Sequence, residues 1–204
     1  MALSKFVKIS NVSNLSDARY CAGMMVDILG FEISDPTNEF YVGPDTFKEL
    51  TGWIAGIDYA GEIKNSSPDN LGDLLSTYDV NHLEFTHKSD APLFQGTDKK
   101  LIYHCQVAKA TVQSLVSDLK EVDPYVDIII IDCESEVNES VITALLKANR
   151  FTSKLLKGYD VSPENIQSLP SFWDGIELKT TLEEKPGFKD FGEIMDILEL
   201  LDED

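Results

Sequence analysis

The sequence predicts a compact, single-domain α/β protein: a closed (β/α)8 barrel of parallel strands over residues 1–204. Three observations carry this expectation. Short apolar runs alternate with amphipathic segments about eight times along the chain, the pattern of repeated strand–helix units. The run at 128–131 is four consecutive isoleucines, continuous and β-branched as a strand covered on both faces should be. Finally, 204 residues with 43% hydrophobic content supply one good core but would divide poorly into two.

Taken in order, "FVKIS" at 6–10 is the first strand. The first helix covers 15–22, with Asn14 or Ser13 as its cap, Asp17 in its first turn and Gly23 at its end. The second strand is 26–33. Pro44 and Asp45 open the second helix, which runs towards Gly52. The third strand lies near 59–64. Ser67-Pro68-Asp69 reads as a cap followed by proline at the first helical position, so the third helix is set at 68–77. The fourth strand is 81–85, and the unit behind it is irregular. The fifth strand is 101–104. The fifth helix, 108–120, holds Val112, Leu115, Val116 and Leu119 at helical spacing. The sixth strand is 126–131. The sixth helix, 137–148, carries Val141, Leu145 and Leu146 as its apolar residues. The seventh strand, 154–157, leads to a short helix capped by Ser162-Pro163-Glu164. After the eighth strand, 175–178, the last helix carries Ile194, Ile197, Leu198 and Leu201. Regular βα alternation implies parallel strands with right-handed crossovers, and eight units close into a TIM barrel. An open doubly wound sheet would need a glycine-rich turn after the first strand to hold a nucleotide. Ser10-Asn11-Val12-Ser13 is no such turn.

Composition excludes several function classes. With 36 acidic and 17 basic residues the net charge is −19, which argues against nucleic acid and anionic membrane surfaces as partners. No stretch approaches the roughly 20 apolar residues of a membrane helix. The opening "MALSKFVKIS" lacks the apolar core and cleavage site of a signal peptide. Cys21, Cys105 and Cys133 form neither a CxxC pair nor a metal motif, and read as small buried apolar groups. The expectation is a cytoplasmic protein with a small-molecule ligand, monomeric or homodimeric.

In such barrels the active site lies at the C-terminal ends of the strands. Those ends carry Ser10, Glu32, Lys64, Glu84, His104, Asp132, Lys157 and Lys179. The two-residue period of a strand sets Lys8 on one face with Ser10, His82 with Glu84, and Ile128 and Ile130 with Asp132. Asp132 is the sharpest candidate, because it emerges from a buried strand. Partial burial would raise its pKa and suit it to acid catalysis; a cap at a strand end is the plainer reading. Ser10 has no visible base partner and no nucleophile-elbow motif. His82 with Glu84 reads as a base, a metal-ligand pair or a satisfied polar pair, and no metal site is expected. Lys157-Gly158-Tyr159 and Lys179-Thr180-Thr181 are modest candidates for holding an anion.

The order of these pieces resembles the phosphoribosylanthranilate isomerase family, the (β/α)8 enzymes of tryptophan biosynthesis. "KISNV" at 8–12 is similar to the family's opening strand, which reads Lys-Ile-Cys-Gly-Ile. "LSDARYCAGMMVDILGF" resembles its first helix and second strand. "FYVGPDTFKEL" at 40–50, "DIIIID", "VSPENI" at 161–166 and "EKPGFKD" at 184–190 resemble later segments. The resemblance implies an Amadori rearrangement of an aminoaldose phosphate, without a cofactor. Asp132 then falls at the general acid and Ser10 at the base, where a cysteine is expected. A serine hydroxyl scarcely ionises near neutrality, whereas a thiol can. Phe40 falls where an arginine would meet the substrate carboxylate, and Glu84 where a histidine closes the fourth strand. Of the glycine turns for phosphate, the first is replaced by Cys133-Glu134-Ser135-Glu136 and the second keeps only Gly158. Lys179-Thr180-Thr181 stands at the third. The catalytic set is accordingly Asp132, Ser10 and Glu84. The substrate-binding set is Lys8, Phe40, His82, His104, Lys157, Gly158, Lys179 and Thr180. Two readings follow. One is a degenerate isomerase-like enzyme acting on or binding a small metabolite, such as a phosphorylated sugar, with Glu84 or His104 as a replacement base. The other is a non-catalytic barrel that binds a metabolite or a protein.

Overall fold

The computed structural model describes residues 2–64, 71–182 and 192–203. A two-residue strand β1 (Ala2–Leu3) pairs antiparallel with β10 (Asp202–Glu203). Between them run β2 (Phe6–Ser10), β3 (Ile28–Glu32), β4 (Asp58–Ile63), β5 (His82–Phe85), β6 (Lys100–Val107), β7 (Ile128–Cys133), β8 (Lys154–Lys157) and β9 (Gly175–Lys179). Each is parallel to the next, and β9 pairs back onto β2, so the sheet is a closed eight-stranded barrel. The helices are α1 (Leu15–Gly23), α2 (Pro44–Gly52), α3 (Leu71–Thr77), the one-turn α4 (Ala91–Phe94), α5 (Leu115–Val122), α6 (Glu139–Lys147) and α7 (Gly192–Leu201). Among the described residues no helix is long and apolar enough to cross a membrane.

The elements follow local chemistry, with three corrections. Of the two expected caps Asn14 serves α1, its Oδ1 accepting the Asp17 N–H at 2.9 Å. The fifth helix starts at Leu115 rather than 108. Thr111 bonds Ala108 through both its hydroxyl and its backbone, and these local turns compete with the helix. In α6 the inward residues are Ile142 and Leu146, while Val141 is 41% exposed. The segment after β8 forms only a 3-10 turn, Ile166–Ser168. There Asn165 spends its side chain on Ser162 N–H and the Asp160 carbonyl, and Pro170 follows at once. The caps expected at Ser67-Pro68-Asp69 and the "EKPGFKD" segment lie outside the described residues.

The floor of the barrel is a repeated device. Asp27, Asn81, Asp127 and Asp174 each stand just before a barrel strand. Their side chains accept the backbone N–H of Val7, Tyr59, Leu101 and Leu155 at 2.7–2.9 Å. Each also donates its own N–H to the carbonyl of that same residue at 2.9 Å. Their carbonyls then accept from Asp58, Lys100, Lys154 and Phe6, the first residues of the strands on the other side. Four clasps thus join all eight strands. Above them Ile28, Ala60, Ile102, Ile128, Ile130 and Leu156 pack across the axis. This plug closes the barrel from below. A larger apolar layer fills the space between sheet and helices.

Candidate functional site

Above the plug the interior turns from apolar to charged: Ala60 is followed on its strand face by Glu62, Ile102 by His104 and Ile130 by Asp132. Lys8, fully buried on β2, sends its ammonium across the axis. Its Nζ lies 2.9 Å from Glu62 Oε1, 2.7 Å from Glu84 Oε2 and 3.4 Å from Glu177 Oε1, and it hydrogen-bonds Ser10 Oγ. Burial works against this charge, but Glu62, Glu84 and Glu177 outweigh it and hold the ammonium well above its ordinary pKa. Such a lysine stays protonated and is no Schiff-base nucleophile. Two glycines make room. A Cβ at Gly30 would meet Glu62 Oε1 at 2.1 Å and Lys8 Nζ at 2.9 Å. One at Gly158 would meet Glu177 Oε2 at 2.8 Å.

A second tier faces the mouth. His104 Nδ1 sits 2.9 Å from Glu84 Oε1 and 3.7 Å from Glu177 Oε1, and its Nε2 is 3.6 Å from Asp132 Oδ2. Burial disfavours the imidazolium, yet Glu177, Asp132 and Glu84 overcome it and push the His104 pKa up to about 10. Lys179 Nζ pairs with Asp132 Oδ2 and lies 3.7 Å from Glu177 Oε2. Ser10 Oγ donates to Glu177 Oε1 at 2.5 Å. Together these groups line a cavity of about 280 Å³ at the C-terminal ends of the strands, with Asn11, Lys64, Thr86 and Gln106 on its rim. The described residues lining it are all polar.

The expected Asp132 environment is overturned. Burial does press its carboxyl upward, but hydrogen bonds from His104 and Lys179 prevail and hold its pKa below the usual range. The geometry therefore favours the carboxylate form of Asp132. Glu84 is likewise held low, its burial outweighed by Lys8 and His104, while burial pushes Glu62 up against the pull of Lys8. The supposed isolation of Ser10 is corrected too: Glu177 is its carboxylate partner.

Several expected binding residues lie elsewhere. His82 is at the floor, not the mouth, with Nε2 2.9 Å from Asp58 Oδ2, so it forms no site with Glu84. Lys157 points outward from β8; its Nζ bonds Glu139 Oε1 at 2.7 Å and the Asp160 carbonyl at 3.0 Å. Phe40 is half-buried in the loop after β3 and does not line the cavity. Thr180 gives its hydroxyl to the Asn11 carbonyl at 2.6 Å, which ties two loops together rather than leaving a donor for a ligand. Glu32 turns its Oε1 to the N–H groups of Ser34 and Asp35. Lys8, Ser10, Glu84, His104, Asp132, Lys179 and the Gly158 backbone do converge on one interior.

Glu62 and Glu177 were missed by sequence reasoning. Each lies two residues before the strand-end residue singled out, Lys64 and Lys179. The available signal was a charge on the same strand face as that lysine, in a strand otherwise apolar. Glu84, His104 and Glu177 place ligand atoms within 4.8 Å of one another, a spacing that a metal ion could use. Lys8 already supplies the positive charge there, so the donor set is satisfied without one.

Comparison with known proteins bears on the fold. The structural likeness is to phosphoribosylanthranilate isomerases. One, solved with reduced 1-(o-carboxyphenylamino)-1-deoxyribulose 5-phosphate, superposes with a TM-score of 0.75 at 20% identity, covering 98% of this chain and 97% of its own. The Thermotoga maritima enzyme gives 0.73 at 18% identity, with 98% of both chains covered. The Pyrococcus furiosus enzyme gives 0.72 at 12% identity, with 96% and 97% covered. No family model and no curated protein matches the sequence. The chain thus resembles these isomerases in fold across nearly its whole length.

Proposed function

We propose that this barrel binds a small, hydroxyl-rich, unphosphorylated metabolite in its mouth and does not run the Amadori rearrangement that its fold relatives are named for. One observation carries the proposal: the carboxyl at the general-acid position, Asp132, is held ionised by His104 and Lys179. An acid that has already lost its proton cannot protonate a ring oxygen. The binding side has two supports. Every described residue lining the cavity carries a polar group, which suits hydroxyls, and His104 is the one ring among them. The cleft beside β9, next to Gly158 and Lys179 of the expected phosphate turns, is lined by Asp160, Glu177 and Glu193 against Lys179, the single cation among its described residues. Like charges there oppose a phosphate.

The test is direct. Purified protein is mixed with phosphoribosylanthranilate and its fluorescence followed; no turnover is expected. Ser10→Cys restores a thiol at the base position and is expected to stay silent, because Asp132, at the general-acid position, is still held ionised. Turnover by either protein overturns the proposal. In thermal-shift assays D-ribose is expected to raise the melting temperature more than D-ribose 5-phosphate at equal concentration. The reverse order removes the argument against phosphate.

A further inference from the structure

His104 and Asp132 reach the mouth from neighbouring strands, β6 and β7, with Nε2 and Oδ2 3.6 Å apart. At that distance the contact is long for a hydrogen bond, though it still helps to hold the Asp132 carboxyl down, and it leaves room for a substrate atom to come between the two. The remaining atoms of both side chains are already fixed. His104 Nδ1 bonds Glu84 Oε1 at 2.9 Å, and Glu84 is anchored by Lys8 at 2.7 Å. Asp132 Oδ1 accepts the Cys133 N–H at 2.8 Å. The imidazole therefore cannot turn, and it shows the cavity one N–H beside one carboxylate oxygen. Lys179 on Oδ2 keeps that oxygen ionised.

We propose that Asp132 and His104 act as base and acid of a 1,2-proton shift on a small unphosphorylated hydroxy-carbonyl compound, with Asp132 in the role opposite to the one its position implies. This rests on the reading of the mouth as a site for small hydroxylated molecules. Asp132 Oδ2 takes the proton from the carbon that bears the hydroxyl. That C–H electron pair becomes the new C=C bond, and the carbonyl π pair moves to oxygen, which takes the proton from His104 Nε2. The product of the half-reaction is an enediol. In the second half the other hydroxyl returns its proton to His104, its oxygen becomes the carbonyl, and Asp132 delivers its proton to the former carbonyl carbon. Atoms and electrons balance with no oxidant, reductant or cofactor. Glu84 is a positioning residue: it fixes the imidazole and touches no substrate. Because ion pairing weakens both the base and the acid, the reaction is expected to be slow for an enzyme.

The experiment follows deuterium incorporation by proton NMR in D2O, with dihydroxyacetone, D-erythrose and D-ribose as probes. The wild type is expected to speed exchange at the carbon next to the carbonyl by at least about tenfold over buffer. Asp132→Asn and His104→Gln are expected to return it to the buffer rate. Free imidazole is expected to restore exchange to His104→Ala, a rescue that a purely structural histidine would not show. Exchange that persists in Asp132→Asn or His104→Gln overturns the assignment. So does the absence of exchange by wild-type protein that binds D-ribose in thermal-shift assays, and this leaves the binding reading intact. If no probe binds and none exchanges, both fall.

Discussion

The two ends of the barrel axis solve opposite problems. At the floor, four Asx residues repeat one arrangement around the ring, each with the same pair of bonds to its neighbour. At the mouth nothing repeats: a single lysine gathers three glutamates, and a histidine, an aspartate and a second lysine complete the set. The floor bonds are mostly short-range in character, neutral backbone groups meeting a carboxylate or amide. The mouth bonds cross the whole barrel and set full charges in a buried place, where desolvation is costly and only good pairing offsets it. The difference separates the end that holds register from the end that offers chemistry.

Breaking the mouth should have the largest effect. Lys8→Met leaves Glu62, Glu84 and Glu177 buried without their shared cation and is expected to cost about 3–5 kcal/mol in urea unfolding. A cost below about 1 kcal/mol would mean that the network gives no support to the fold. Next comes pH. His104 binds its proton more tightly folded than unfolded, so its stabilising effect is complete below its unfolded pKa of 6.5 and fades as pH rises towards about 10. The groups facing it are Glu84, Glu177, Asp132 and, behind them, Lys8 and Lys179. Stability is expected to fall between pH 6.5 and pH 9, on the order of a few kcal/mol. His104→Gln should flatten that slope; an unchanged slope in the variant would assign it to other groups.

Gly30→Ala tests the space around Lys8 without touching a charge. Its new methyl would collide with Glu62 and Lys8, and a loss of about 1–3 kcal/mol is expected in the same assay. The smallest effects belong to the floor. Asp27→Ala, Asn81→Ala, Asp127→Ala and Asp174→Ala should each cost about 1 kcal/mol. Pairs of them should add within about 0.5 kcal/mol, since they share no side-chain partner. One clasp that dominates the other three would break the picture of an evenly divided ring.

The fold was legible because its signals are local. Apolar alternation set all eight barrel strands, and the clasp residues can be seen afterwards as an apolar–Asx pair before every second strand: Val26-Asp27, Val80-Asn81, Val126-Asp127 and Trp173-Asp174. The site was legible in its upper tier and, below it, in Lys8 and Glu84. Strand-end reasoning found Ser10, Glu84, His104, Asp132 and Lys179, because a closed barrel brings strand ends together. It missed Glu62 and Glu177, one pleat deeper, and misplaced Lys157, whose parity with inward-facing Gly158 sends it outside. The protonation of Asp132 was out of reach, since it depends on partners 28 and 47 residues away in the chain. Partial burial alone pointed the wrong way.

Asn11 marks the seam where the first barrel strand meets the last. It holds a left-handed backbone, φ 61°, takes the Thr180 hydroxyl on its carbonyl and the Lys64 ammonium on its side chain. Just beneath it, Ser10 and Lys8 meet Glu177, 167 and 169 residues further on. A ribosome has therefore emitted Lys8 long before the glutamate that completes its cage exists. Until then the half-made tube carries an ammonium and two carboxylates that water must solvate, so the pocket comes into being in the last act of synthesis rather than growing strand by strand.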